Sequence, residues 1–312
     1  MTTTPTNLRI GIIGGTGLGD ALNAEQGEQR DLDTPFGKPS SPVTLTQWHG
    51  VDVAILQRHG PGHVHNPTDV PYRANIHALK SLGVTHVLAS GATGSLREHI
   101  QPGQLVIADQ VIDRTHRRPK TFYERAAVHV AFSEPFCPVM RQWLLAAAKQ
   151  MDRRIEVHNG GTYVCMEGPA FSTKAESEMH RQIGGDLIGM TCMPEAKLAR
   201  EAELAYALIA MPTDYDCWRP HPSGGDPGTP QHALLEEIIG NLKQATAANI
   251  ALMKAALSDV TMLREHPSPA HDALKLAIWT DKSKLDPAEV ERLRVLWGRY
   301  FEAAPTEDVV AG

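Results

Sequence analysis

The 312-residue sequence has no excess of basic residues: 30 Lys and Arg stand against 36 Asp and Glu, for a formal net charge of -6. A binder of phosphate backbones needs a basic face, and no Lys/Arg block or interleaved aromatic stripe supplies one locally, so no nucleic acid is expected as a partner. Long apolar runs are missing too. None reaches the roughly 20 residues a helix needs to cross a bilayer, and Met1 to Asn7 is polar, without an apolar signal core behind a basic start. The expectation is a cytoplasmic protein with no membrane partner. Cysteine is scarce. Cys137, Cys165, Cys192 and Cys217 lie far apart, mostly in apolar surroundings, which fits buried reduced thiols and not a disulfide frame or a Cys-x-x-Cys zinc site. Aromatics make up only 5% of the chain, yet 42% of it is hydrophobic, enough for a large α/β core.

What is present is a series of short apolar runs that end in residues suited to hold a ligand. Leu8 to Ile13 reads as a buried strand and runs into Gly14-Gly15-Thr16-Gly17-Leu18-Gly19. Such a turn can aim backbone N–H groups and the Thr16 hydroxyl at an anion, though it matches neither dinucleotide nor triphosphate fingerprints and a purely structural turn is the rival reading. Val43–Thr46 and Val51–Leu56 read as paired strands, the second ending at Arg58-His59. Arg there suits capture of a phosphate or carboxylate. His59, His63 and His65 could instead ligate zinc, but Gly60-Pro61-Gly62 makes this a loop and no H-E-x-x-H follows.

Thr68 to Leu82 reads as a helix with Tyr72, Ile76 and Leu79 on one face, and Val84–Ala89 as a strand entering a small-residue turn, Ser90-Gly91-Ala92-Thr93-Gly94-Ser95, open to a flat heterocycle or a phosphate. Arg114, Arg117, Arg118 and Lys120 read as a solvated charge run. After strand 162–166, Phe171 is placed either to stack on an aromatic ligand or to pack as core, and Thr173-Lys174-Ala175-Glu176 is a capping box for a helix with Ala175, Met179 and Ile183 inward. Leu187–Thr191 is a short strand ending in a hydroxyl. The densest stretch is Ala207 to Trp218, an apolar strand delivering Asp214 and Asp216 at its C-terminal end, where open α/β sheets keep their ligands. Two carboxyls in a partly apolar pocket disfavour each other's charge, so one can keep a proton and act as donor or general acid; the plain alternative is a solvated turn.

Several blocks, taken together, carry a resemblance. Gly14-Gly15-Thr16-Gly17-Leu18, Asp33-Thr34-Pro35-Phe36-Gly37-Lys38-Pro39, Arg58-His59-Gly60, Gly94-Ser95-Leu96-Arg97-Glu98, Glu134-Pro135-Phe136-Cys137-Pro138, Glu167-Gly168-Pro169, Met190-Thr191 and Thr213 to Trp218 resemble, in collinear order over about 8 to 260, the 5′-methylthioadenosine phosphorylases of the trimeric purine nucleoside phosphorylase family. The resemblance implies an α/β domain over 8–265 with a central mixed β-sheet flanked by helices; beyond Asp259 the likeness fades, and residues 266–312 are expected to form a helical extension after the linker Pro267-Ser268-Pro269. It implies phosphorolysis of a purine nucleoside, with inorganic phosphate as co-substrate, no cofactor or metal, and a homo-oligomer, a trimer or a dimer of trimers. Thr16, Arg58, His59, Gly91, Ala92 and Thr191 would hold phosphate. Phe171 would lie on the purine, Met190 on the ribose, Asp214 and Asp216 at N7 and the 6-amino group, and Ala92 and Ile238 would complete the substrate contacts, with Leu235 and Ile239 beside Ile238 in a 5′ wall. Where the family often has threonine, Gly91 removes a hydroxyl. The rivals are a phosphorylase for methylthioinosine, inosine or adenosine, a metal-dependent hydrolase using the histidine cluster, and a nucleotide-binding regulator. In the extension, Asp286-Pro287 would cap a helix presenting Val290, Leu293, Trp297 and Tyr300 to the core or to a neighbouring subunit.

Overall fold

Alternation along two strands divides the core into two layers. Ile10 and Ile12 of β1 (Arg9–Gly14) pack on one side of a sheet and Ile13 on the other. Ala205, Ala207, Ile209 and Met211 likewise face away from Tyr206, Leu208 and Ala210, the period-two pattern of a strand buried on both faces. The structure, a computed structural model, describes residues 8–15, 27–151, 155–219 and 231–301; within 231–238 it describes the backbone and, of the side chains, that of Glu236.

In chain order the strands and helices are β1, β2 (Glu28–Arg30), β3 (Val43–Trp48), β4 (Val51–Gln57), α1 (Tyr72–Ser81), β5 (His86–Ser95), β6 (Leu105–Ile107), β7 (Gln110–Asp113), α2 (Pro138–Ala148), β8 (Val157–Asn159), β9 (Thr162–Cys165), α3 (Lys174–Gln182), β10 (Leu187–Gly189), α4 (Cys192–Glu201), β11 (Ala205–Asp214), α5 (Gln231–Leu257), α6 (Thr261–Glu265), α7 (Pro287–Arg292) and α8 (Arg294–Trp297). The strands form one mixed sheet, ordered β2-β3-β4-β1-β5-β10-β9-β7, with β11 pairing β5 and β6, and β6 pairing β8. One face carries α1, α4 and the C-terminal segment, and the other carries α2 and α5. This is the expected α/β architecture.

The long strand β5 organises the site. On one side it pairs with β11 from His86 to Gly94. On the other it pairs with β1 through Ala89 and with β10 only from Gly94, so among the described residues Ser90 to Thr93 have no strand neighbour there. A crevice opens where the pairing lapses. The turn expected at Ser90–Ser95 is therefore extended strand: β11 holds these residues in register, Ile209 opposite Ser90 through Pro212 opposite Thr93.

Other expectations shift for local reasons. Helix α1 starts after Pro71, not at Thr68, because proline disfavours helix in the residue before it. The Thr173 capping box forms as expected, but α3 buries Ser177 and His180 while Ala175 and Ile183 are exposed. The expected C-terminal helix is broken at Leu293 into α7, capped by Asp286, and α8. Its stripe packs on the core of the same chain: Leu293, Leu296 and Trp297 are buried there, and the Trp297 ring lies 4.8 Å from that of Tyr123.

Beneath that segment, Glu201 at the end of α4 accepts the Phe122 N–H at 2.8 Å. Burial pushes its carboxyl up from 4.5 to about 7, against the pull of the Phe122 N–H and the Thr121 hydroxyl. The proton is held more tightly in the folded chain than in the unfolded one. The stability it confers is complete below 4.5 and is lost as pH rises through about 7. Glu201→Gln removes this loss. Measured by urea unfolding, the variant is expected to gain on the wild type by about 3 kcal/mol between about pH 5 and about pH 8; a constant difference would refute it.

Candidate active site

The crevice beside β5 opens into a cavity of about 580 Å³. Its lining includes nine residues that the sequence singled out: Arg58, His59, Gly91, Ala92, Phe171, Met190, Thr191, Asp214 and Asp216. Thr16 and the side chain of Ile238 lie outside the described residues. Of the neighbours suggested with Ile238, the Leu235 side chain is likewise outside them and Ile239 is exposed; Leu242, further along α5, lines the cavity instead.

The acids sit where β11 ends. A Cβ placed on Gly94 of β5 would come within 3.2 Å of both Asp214 Oδ1 and Asp216 Cβ, so the pair lies directly against that glycine. Asp214 Oδ1 accepts the Asp216 N–H at 2.7 Å, and Oδ2 accepts the Thr213 hydroxyl at 2.7 Å. Burial raises the pKa of Asp214, with the neighbouring charge of Asp216 adding to it and the two donors opposing it. Asp216 adopts a left-handed conformation with φ 50°, tolerated by aspartate, and its buried Oδ2 has no hydrogen-bond partner among the described residues. Trp218 pins this turn by donating its indole N–H to the Ser95 carbonyl at 2.8 Å, with the Arg181 guanidinium 3.9 Å from its ring centre.

Three residues back along β5, about 10 Å in an extended strand, the lining brings together Gly91, Thr191, Arg58 and His59. A Cβ on Gly91 would lie 3.4 Å from Thr191 Oγ1 and 3.9 Å from Arg58 Nη1, ordinary contacts that leave this side of the crevice open. Thr191 is the N-cap residue of α4, but its hydroxyl makes no capping bond and remains available to a ligand. Arg58 differs from the expectation of an arginine offered fork-first. It is fully buried, and its Nε and Nη2 donate to Glu195 at 2.7 and 2.8 Å. His59 donates Nδ1–H to the His65 carbonyl at 2.8 Å, and its ring stacks on His63 at 4.2 Å between centroids. Burial, followed by the charge of Arg58, lowers the His59 pKa to about 4, so the imidazole is neutral at pH 7. The stacked rings face each other and do not converge on a point. Among the described residues no group of three or more His, Cys, Asp or Glu is placed to hold a metal.

Phe171 is at the rim and not against an inner wall, with 85% of its surface exposed. Met190, half-buried, lines the cavity itself. Its loop and the one before Phe171 are joined by Arg118, which the sequence reading left in a solvated charge run. Arg118 is buried and donates to Glu167 Oε1 at 3.0 Å, to the Glu167, Met190 and Met193 carbonyls, and to the Tyr72 hydroxyl. Glu167 also accepts the N–H groups of His116 and Arg117 and the Thr68 hydroxyl; these bonds and Arg118 hold its carboxyl down to about 2 in spite of burial. Glu195, Arg118 and Glu167 are the polar residues that sequence reasoning missed. For Glu195 the one available signal was its place on a helix otherwise rich in apolar residues.

A strand-end crevice that holds an acid pair about 10 Å from an arginine, an uncapped threonine hydroxyl and a neutral imidazole has the groups that a nucleoside phosphorylase would need. The family model described as Phosphorylase superfamily matches residues 9–258, and the chain belongs to that superfamily. Its relatives are more particular. It is 45% identical over 306 residues to an S-methyl-5′-thioadenosine phosphorylase of Synechocystis sp., covering 97% of this chain and 90% of that one. Among solved structures it is similar to a methylthioadenosine phosphorylase from an antarctic soil metagenomic library, with a TM-score of 0.83, 40% identity, and coverage of 93% of this chain and 99% of that one. It is also similar to a mutant adenosine/methylthioadenosine phosphorylase of Schistosoma mansoni solved in complex with methylthioadenosine, with a TM-score of 0.77, 34% identity, and coverage of 88% and 99%.

Proposed function

We propose that this chain splits the N-glycosidic bond of S-methyl-5′-thioadenosine with inorganic phosphate, giving adenine and 5-methylthioribose 1-phosphate. The observation that carries the reading is the single cavity with acids at Gly94 and anion-binding groups at Gly91. In it the purine meets Asp214 and Asp216, and the ribose lies on Met190. Phosphate is held by Arg58, Thr191 and the backbone at Gly91 and Ala92; His59, neutral with its proton on Nδ1, accepts a P–OH of the phosphate at Nε2, and Thr16 is assigned to the same anion by the resemblance alone.

Asp214, its pKa raised, donates a proton toward N7 and makes the base a better leaving group. Phosphate then attacks the oxocarbenium-like sugar from the opposite face, with inversion. The unpartnered Oδ2 of Asp216 suits a 6-amino donor, whereas a 6-oxo group would set two acceptors against each other. This favours S-methyl-5′-thioadenosine and adenosine over methylthioinosine and inosine. No cofactor takes part. We also read the protein as a cytoplasmic homo-oligomer, a trimer or a dimer of trimers; the adjacent exposed Leu276 and Trp279 support association, and light scattering on the purified protein tests it.

The function is tested by incubation with S-methyl-5′-thioadenosine, adenosine and methylthioinosine, each with and without phosphate. Adenine release that requires phosphate is expected. Release that proceeds without phosphate and stops with a chelator would replace this reading with a metal-dependent hydrolase.

A further inference from the structure

Glu195 and Arg58 form a closed pair, their side chains 1% and 0% exposed. Glu195 Oε1 also accepts the Tyr206 hydroxyl at 2.8 Å. On the Arg58 side, Nη1 donates to the Ser90 carbonyl at 2.7 Å, in the stretch of β5 that lacks a second strand partner. The two bonds to Glu195 and the one to Ser90 use three of the guanidinium's five N–H groups. The remaining two are one each on Nη1 and Nη2.

Arg58, Gly15 and Gly91 all line the cavity, and Nη1 is the guanidinium nitrogen closest to the two glycines: Cβ atoms there would stand 3.2 and 3.9 Å from it. The ion pair does not add net positive charge to the anion subsite; Glu195 subtracts it. What the pair supplies is direction, because a side-on fork fixes the plane of a guanidinium. Glu195 also follows Thr191 by four residues, past a break in α4 at Met193 (φ -113°, ψ 136°), so one short segment carries both the Thr191 hydroxyl and the partner of the arginine.

We propose that Glu195, itself steadied by Tyr206, is a positioning residue for phosphorolysis: it fixes Nη1 of Arg58 beside the side-chain-free wall of Gly15 and Gly91, where its remaining N–H can meet the attacking oxyanion. This rests on the phosphorylase reading above. In Glu195→Gln an amide N–H replaces one acceptor facing the Arg58 and Tyr206 donors, and the guanidinium loses its fixed plane. Tyr206→Phe removes only the support of Glu195.

The test is steady-state kinetics with phosphate varied at saturating S-methyl-5′-thioadenosine, then the reverse, alongside thermal unfolding. For Glu195→Gln the phosphate KM is expected to rise about tenfold or more, with kcat and the nucleoside KM within about twofold of wild type. For Tyr206→Phe a rise of about two- to fivefold in phosphate KM alone is expected, and this variant decides the matter if Glu195→Gln does not fold. An unchanged phosphate KM with a lowered melting temperature would make the pair purely structural. A lowered phosphate KM would mean that Glu195 acts by opposing the anion's charge. Either result overturns the proposal. Wild-type base release that ignores phosphate would instead bring down the phosphorylase reading, and this inference with it.

Discussion

Asp214→Asn is expected to lower kcat/KM for S-methyl-5′-thioadenosine by about 10²–10⁴-fold while leaving the phosphate KM within about twofold. Asparagine keeps the shape, and its amide can still point at N7, but it cannot deliver a proton to the departing base. The anion subsite lies three residues away along β5 and does not depend on that proton. A comparable loss in phosphate affinity would contradict the assigned role. The pH dependence gives a second check. Burial raises the Asp214 pKa, and the protonated form is the active one, so the wild-type rate is expected to fall as pH rises through that pKa, a limb absent in Asp214→Asn. A substrate lacking the ring nitrogen, a 7-deaza nucleoside, should abolish the difference between the two proteins.

The second large effect is on stability and the cavity floor together. Arg118→Ala is expected to destabilise the protein by about 3–5 kcal/mol, measured by urea unfolding, because it breaks a buried ion pair and leaves carbonyl oxygens behind. Glu167 would retain the His116 and Arg117 N–H groups, but the Met190 and Met193 carbonyls would lose the Arg118 donor. Met190 and Thr191 sit between those anchors, so the KM values for nucleoside and phosphate should both rise. Arg118→Lys should recover little of this, since one ammonium cannot reach partners on several sides of a planar group. A loss under about 1 kcal/mol would show that the network contributes no more than a surface pair.

These two residues also mark how far the sequence can be read. Asp214 was legible because an apolar strand hands it directly to the ligand end of the sheet, a purely local pattern. The same holds for β1, β3, β4 and β11, whose apolar runs announce them. Arg118 was not legible. Its run of basic neighbours resembles any solvated loop, and its burial depends on Glu167, 49 positions away. Glu195 meets Arg58 across 137 positions, and nothing near either residue signals the other. Gly91 to Thr93 line the cavity, but as extended strand and not as the turn their small side chains suggest, because the strand that keeps them extended, β11, lies more than a hundred residues further on. Phe171 was placed near the ligand by its neighbours, but its position at the rim is set by how the 167–171 segment leaves the sheet, which side-chain type does not encode.

The lapse in pairing along β5 also sets a size limit. The sheet is fastened at Ala89 and again at Gly94, so the slot between spans four residues, roughly 13 Å of strand, and cannot widen without tearing a ladder at one end. Bulky groups added to the purine edge would press on Ile188 and the acid turn and be refused. Tolerance for varied substituents is expected instead where Leu242 lines the cavity, because there a helix and not a strand of the sheet forms the boundary.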